Sequence, residues 1–289
     1  MHFSISGSTG FIGQALLKMI VARGWTATVI DRMSFEMPEE EFARKKIAGS
    51  EVIINLAGSP ISGRWTPENK KEMLDSRILT TRKIARAIRL APDKPRLLIS
   101  ASGTGIYDSS HSHTEESLDF DSGFLADLCR QWEEEAFSVA ELTRVVVCRT
   151  GLVLGKEGGI LERLQPLFGM GLGAVVGSGD QKMPWIHLDD LLAAYQFVIG
   201  HEEIRGIVNL TAPYSTTNYE FTHTFGKVLT QPIFLKVPGF ALRMIYGEGA
   251  STLITGQKVI PEKLLKSGFE FKFPTVVKAL MNLYPPSIP

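Results

Sequence analysis

Two cysteines in 289 residues exclude a disulfide-built scaffold, and Cys129 and Cys148 stand in no CxxC or His-x-x-x-His spacing that would suggest a structural metal. Net charge is missing too. With 31 Lys+Arg against 31 Asp+Glu and no long basic block, nothing favours nucleic acid or an anionic membrane surface as a partner. No stretch of about 18 uninterrupted apolar residues is present that would cross a bilayer. The first apolar strand begins at Phe3, which leaves no room for a cleavable leader. These absences point to the cytoplasm, with both cysteines as buried or half-buried thiols and no metal site.

What the chain does have comes at its start. Phe3-Ser-Ile-Ser runs into Gly7-Ser-Thr9-Gly10-Phe11-Ile12-Gly13 and then into the helical Gln14-Ala-Leu-Leu-Lys-Met-Ile-Val-Ala22. In a strand, turn and helix of this kind, Gly7 permits the turn, Gly10 lets amides approach a pyrophosphate, and Gly13 lets the helix pack on the sheet. A second strand, Thr26-Ala-Thr-Val-Ile30, follows and ends in Asp31-Arg32, which is the context a dinucleotide fingerprint requires. The third apolar run, Glu51-Val-Ile-Ile-Asn55, ends in Leu56-Ala57-Gly58. Strand ends in an open parallel sheet border the ligand, so Asn55, Leu56, Ala57 and Gly58 are expected beside the cofactor.

Apolar residues recur at three- and four-residue spacing from Pro67 to Leu90, predicting a long helix on which Arg77 lies between apolar positions and can turn toward the cleft. The fourth strand, Pro95 to Thr104, empties into hydroxyls: Ser100 beside the cofactor, then Ser102 and Thr104, with Tyr107 after them. From Asp108 to Phe120 the chain reads as a surface loop, with His111 and His113 as solvated histidines rather than metal ligands. A helix from Phe124 through Leu142 and a strand from Thr143 to Cys148 continue the alternation, then a glycine-crowded segment from Gly155 to Gly179 surrounds a short helix, Ile160 to Phe168. Asp189 or Asp190 is expected to cap the helix starting at Leu191. Gly206 to Leu210 predicts another strand and Asn218 to Leu229 another helix. Repeated strand and helix imply an α/β class: a Rossmann-type, doubly wound parallel sheet. The expected division is a dinucleotide-binding domain over 1–230 and a small lobe over 231–289 that closes the cleft.

At the level of motifs, Gly7 to Gly13, Asn55-Leu-Ala-Gly58 and Trp185-Ile-His-Leu-Asp-Asp190 resemble the extended short-chain dehydrogenase/reductases of the NAD-dependent epimerase/dehydratase superfamily. Arg64-Trp-Thr66, Ser76-Arg77, Trp132-Glu133, Arg149 to Leu154 and the segment Gly247 to Phe271 resemble one branch of it, labelled "epimerase family protein" and loosely cell-division-inhibitor-related. Active members of the superfamily use a Tyr-x-x-x-Lys pair in which the lysine lowers the phenol's pKa for proton transfer beside the nicotinamide. Here none of the 6 tyrosines has a lysine four residues on. The resemblance places Leu125 and Cys129 at those two positions.

Ser102 and Tyr107 therefore stand as the catalytic candidates. Gly7, Thr9, Gly10, Phe11, Ile12, Gly13, Asp31, Arg32, Leu56, Ala57, Gly58, Arg77 and Ser100 are the cofactor candidates. Asp31 favours NAD through the ribose hydroxyls, whereas Arg32 favours NADP by pairing with a 2′-phosphate, and NADP is preferred. The resemblance implies an atypical oxidoreductase or epimerase acting on a small polar substrate. The alternative is a catalytically silent dinucleotide sensor or regulator, including a division regulator. The expected partners are the dinucleotide and that substrate, with a homodimer left open.

Overall fold

A computed structural model describes residues 1–285. The chain opens on β1 (His2–Ser6), turns at Gly7 into α1 (Phe11–Ala22) and returns in β2 (Thr26–Ile30). A short helical stretch containing α2 (Glu39–Phe42) leads to β3 (Val52–Asn55). The start of α3 (Pro67–Leu90) is set locally: Thr66 Oγ1 accepts from the Asn69 amide at 3.2 Å, and Pro67 sits where its missing N–H is not needed. Then come β4 (Leu97–Gly103), β5 (Ser112–His113), α4 (Phe124–Phe137) and β6 (Arg144–Thr150). α4 stops five residues short of the expected Leu142, and the chain passes through hydrogen-bonded turns over 138–143 before the next strand.

The second half runs β7 (Leu152–Gly155), α5 (Gly159–Gly169), β8 (Ala174–Val176), β9 (Lys182–Met183), β10 (Trp185–His187), α6 (Leu188–Gly200), β11 (Gly206–Leu210), β12 (Thr216–Thr217) and α7 (Asn218–Val228). The C-terminal part holds β13 (Leu235–Val237), α8 (Gly239–Tyr246), α9 (Ser251–Ile254), β14 (Lys258–Val259), α10 (Glu262–Lys266) and α11 (Val276–Leu283).

Six parallel strands form the central sheet in the order β11-β6-β4-β3-β1-β2. Each of its inner strands is buried on both faces, which is why Val52-Ile-Ile and Leu97-Leu-Ile read as continuous apolar runs rather than alternating ones. Alternate residues serve opposite layers. Ile54, Ile99 and Val146 pack with Leu16 and Ile20 of α1 and Leu191 and Val198 of α6, while Ile53, Leu98 and Val147 pack with Ile84 and Ile88 of α3 and Ala136 of α4. The strand order reverses between β1 and β3, and the crevice at that point lies beyond the carboxyl ends of the strands.

The C-terminal segment is strapped to this sheet by buried polar contacts. The stretch expected as a free surface loop instead contributes β5, which pairs with β14 in the register Ser112↔Lys258 and His113↔Val259. His113 is fully buried and stacked on Tyr107 with ring centroids 4.7 Å apart, so it is not a solvated histidine. Glu115 accepts from the Asn209 amide at 3.0 Å and from the Lys263 amide at 3.1 Å, and burial raises its pKa. Asp190 accepts from the Lys272 and Phe273 amides at 2.8 and 2.9 Å. The α6 cap is neither expected aspartate: His187 Nδ1 accepts from the Asp189 amide at 3.0 Å, which frees Asp190 to hold the C-terminal segment.

Candidate functional site

The three glycines of the first turn have different jobs. Gly7 has φ +67°, and a Cβ there would come 2.6 Å from the Leu56 carbonyl oxygen; a Cβ on Gly13 would meet the Gly7 carbonyl oxygen at 2.2 Å. The fold itself demands those two. A Cβ on exposed Gly10 would meet only the Gly7 carbonyl oxygen, at 3.4 Å, so the fold leaves that position open. Gly10 is also the N-cap of α1 and supplies no side-chain acceptor, so the helix presents uncapped first-turn amides and the positive end of its dipole. Gln14 Nε2 donates to the Thr9 carbonyl at 2.7 Å and braces the turn. The side chains of Phe11 and Ile12, two of the cofactor candidates, face elsewhere. Phe11 lies on the glycine hairpin, its ring within 2.4 to 3.2 Å of where Cβ atoms of Gly155, Gly158 and Gly159 would stand, and Ile12 packs on the core.

At the end of β2, Asp31 and Arg32 are both exposed. The Asp31 carboxylate accepts from Ser34 Oγ at 2.6 Å and the Ser34 amide at 2.8 Å, bonds that lower its pKa. That carboxylate is engaged within its own turn, while Arg32 has no ion pair among the described residues.

The end of β3 is held from below. Ser6 Oγ donates to Asn55 Oδ1 at 2.6 Å and accepts from the Leu56 and Ala57 amides at 3.1 and 3.2 Å; Asn55 Nδ2 and Trp132 Nε1 both donate to Thr81 Oγ1. Asn55 is thus fully buried beneath the crevice and shapes the Leu56–Gly58 turn without facing it. The guanidinium of Arg77 is pressed against Gly58, where a Cβ would stand 2.8 Å from Cζ.

The end of β4 departs from expectation. Ser102, 5% exposed, donates to Glu133 Oε1 at 2.6 Å, and Glu133 is clamped by Arg149. Arg149 Nη1 donates to the Tyr107 hydroxyl at 2.9 Å, which in turn donates to Asn209 Oδ1 at 2.9 Å. Tyr107 is fully buried and its pKa is raised, chiefly by that burial. Ser102 and Tyr107 are engaged in a closed buried network rather than lining the cavity, and Ser100 is buried at 1% exposure. Glu133 and Arg149 stand in the sequence only as branch motifs; their pairing is what sequence reasoning missed, although a lone arginine inside the apolar strand Val145-Val-Val-Cys-Arg149 signals a buried partner.

Beyond the strand ends lies a cavity of about 470 Å³ between the sheet and the C-terminal segment. Gly103–Gly105 and Thr150–Leu152 form its floor, Trp65, Leu125, Met183 and Phe221 are among its walls, and Leu253 closes it from the C-terminal side. Leu125 lies 3.2 Å from where a Cβ of Gly105 would stand. Cys129, behind Gly103, has its Sγ 3.7 Å from the Gly103 carbonyl oxygen and a pKa pushed up to about 11 by burial, so it stays a thiol at neutral pH. Among the described residues no three His, Cys, Asp or Glu side chains converge as metal ligands, and no helix is long and apolar enough to cross a membrane.

A family model described as "NAD dependent epimerase/dehydratase family" matches residues 4–211, and one described as a domain of unknown function matches residues 237–283. The chain is similar to the Arabidopsis thaliana epimerase family protein SDR39U1 homolog, chloroplastic, at 37% identity, covering 97% of this chain and 86% of that one. Human epimerase family protein SDR39U1 is 34% identical, with 98% and 99% covered. The crystal structure of the human protein (isoform 2) with NADPH superposes with a TM-score of 0.92 over 98% of this chain and 99% of that one, at 34% identity. A Thermus thermophilus UDP-glucose 4-epimerase complexed with NAD shares the fold at TM-score 0.76 and 16% identity, with 100% of each chain covered.

Proposed function

The chain belongs to the NAD-dependent epimerase/dehydratase family, and from that premise we propose that it binds NADP(H) at the start of α1 and acts as an oxidoreductase on a small, mainly apolar carbonyl compound. The observation that carries this reading is the contrast among the glycines. Gly7 and Gly13 are closed by protein atoms, while Gly10 and the uncapped amides after it are left for an anion from outside. The NADPH in the human relative's structure supports the same ligand here. So does the engagement of Asp31 with Ser34, which leaves Arg32 as the side chain free to meet a 2′-phosphate. The compartment we propose is the cytoplasm, where two free buried thiols need no oxidising partner.

The walls of the cavity support a mainly apolar substrate body in place of the small polar one expected. Trp65, Phe124, Leu125, Leu152, Met183 and Phe221 offer carbon surface, which suits an apolar body better than a sugar's ring of hydroxyls. A bound reduced nicotinamide would supply hydride, and Thr104 and Thr150, which line the floor, are the residues that would orient a carbonyl. The chain has no phenol or amine at the two positions where the superfamily places its proton-transfer pair, which are Leu125 and Cys129 here, so on this reading the proton would come from solvent.

That same substitution of Leu125 and Cys129 favours the second reading, a silent dinucleotide sensor. Following the absorbance of reduced nicotinamide with a panel of aromatic and branched aldehydes, ketones and enones separates the two. Consumption with at least one apolar carbonyl is expected, and no consumption across the panel overturns the enzymatic reading in favour of the sensor.

A further inference from the structure

Helix α8 keeps its apolar side chains on the outside. Of Gly239-Phe-Ala-Leu-Arg-Met-Ile-Tyr246 only Leu242 is buried, whereas Phe240, Met244 and Ile245 are 69, 74 and 61% exposed. At about 100° per residue, Phe240 and Met244 lie side by side on the outer face with exposed Arg243 along their border, and Leu242 turns inward. So much exposed carbon on one short helix marks a contact that the described residues do not supply.

The apolar face continues past the helix. β13 enters α8 through Pro238 and pairs with β8, Leu235 opposite Ala174. Leu235 is 46% exposed and Phe234, just before the strand, 86%. The chain leading into β13 meets the turn leading into β8: a Cβ on Gly173 would stand 2.7 Å from Ile233 Cδ1, and one on Gly171 3.7 Å from Gln231 Oε1. That turn adds Met170 and Leu172, both more than half exposed.

Charge on the two stretches that build this face has one sign. No Asp or Glu occurs over 163–179 or over 221–247, while Arg163, Lys227, Lys236 and Arg243 do occur and all are exposed. Lys227, Lys236 and Arg243 have no carboxylate partner among the described residues. The chain's zero net charge conceals this, because the balancing acids stand on other segments. A two-fold contact with a second copy would set this basic face against itself with no acid to answer it. An anionic bilayer answers both features, its interfacial region taking up the carbon and its phosphates the cations. β8 also contributes Ala174 and Val176 to the lining of the cavity, so the face backs onto that apolar space.

We propose that α8, β13 and the turn before β8 form a peripheral docking surface for an anionic lipid bilayer, an interaction that does not depend on the cofactor reading above. The face lies on the surface of the bilayer and does not cross it.

The test is flotation of the purified protein with phosphatidylcholine vesicles, with and without phosphatidylglycerol, at low and high salt. The wild type should float with the anionic vesicles, less so at high salt, and far less with the neutral ones. Phe240→Ser/Met244→Ser should weaken that binding by at least about tenfold, and Lys236→Gln and Arg243→Gln by about fivefold each. These side chains are exposed, so the melting temperature should stay at the wild-type value and separate a lost contact from a lost fold. A wild type that stays behind with anionic vesicles, or flotation that none of the substitutions changes, overturns the inference. Sedimentation velocity would then name the occupant: a dimer dissolved by Phe240→Ser/Met244→Ser gives the face to a second copy, and a monomer gives it to an acidic protein partner.

Discussion

Glu133 and Arg149 meet as a bidentate pair, Nε to Oε1 at 2.9 Å and Nη2 to Oε2 at 2.7 Å, with side-chain exposures of 8% and 4%. Around them Ser102, Tyr107 and Asn209 complete a network that joins α4, β4, β6 and β11 behind the cavity. Removing one partner leaves the other charge buried and unpaired, so Glu133→Ala should destabilise the protein by about 3 to 5 kcal/mol. Urea unfolding checks it. A loss under about 1 kcal/mol would mean that water reaches the pair.

The glycine contrast predicts a split between stability and binding. Gly13→Ala puts a methyl into the Gly7 carbonyl and should cost about 1 to 3 kcal/mol of stability. Gly10→Ala meets nothing closer than 3.4 Å and should leave the melting temperature close to wild type while weakening NADPH. Equal melting losses in the two variants would count against the assignment of Gly10 to a ligand.

Glu115 gives a pH dependence of known sign. Its folded pKa is raised above the usual 4.5, first by desolvation, so the folded state holds the proton more tightly than the unfolded chain does. Its contribution is fully present below pH 4.5 and is lost as pH rises through the folded pKa. Relative to Glu115→Gln, which does not titrate, the wild type should lose unfolding free energy as pH climbs from 4.5. A difference that grows with pH would contradict this.

Much of the fold is legible because the inner strands are apolar on both faces, and Thr66 and Pro67 announce α3 in the sequence itself. The pairing of β5 with β14 is not legible: two-residue strands carry no periodicity, and their partners lie more than a hundred residues apart. The capping role of His187 is hidden for a different reason, since two aspartates beside it are the more usual acceptors. The same holds at the site. Glycine spacing locates the turn at which we propose the pyrophosphate binds, whereas the partners of Ser102 and Tyr107, Glu133 and Arg149 on two other elements, are seen only in the fold. Burial of a hydroxyl depends on tertiary partners, and no local pattern reports it.

We propose that cofactor choice is set at the end of β2. With Asp31 bound to Ser34, Arg32→Ala should weaken NADPH by about tenfold relative to NADH. Parallel titrations of the two cofactors read it directly. Equal effects on both would return the choice to Asp31.

The central claim is that the open end of α1 holds the cofactor's pyrophosphate, and the most direct measurement is calorimetric titration of NADPH into the wild type and Gly10→Asp. The variant places a carboxylate where the fold leaves space for phosphate, and the account predicts saturable binding to the wild type, weakened by about a hundredfold in the variant. An unchanged dissociation constant would contradict it and place the site elsewhere.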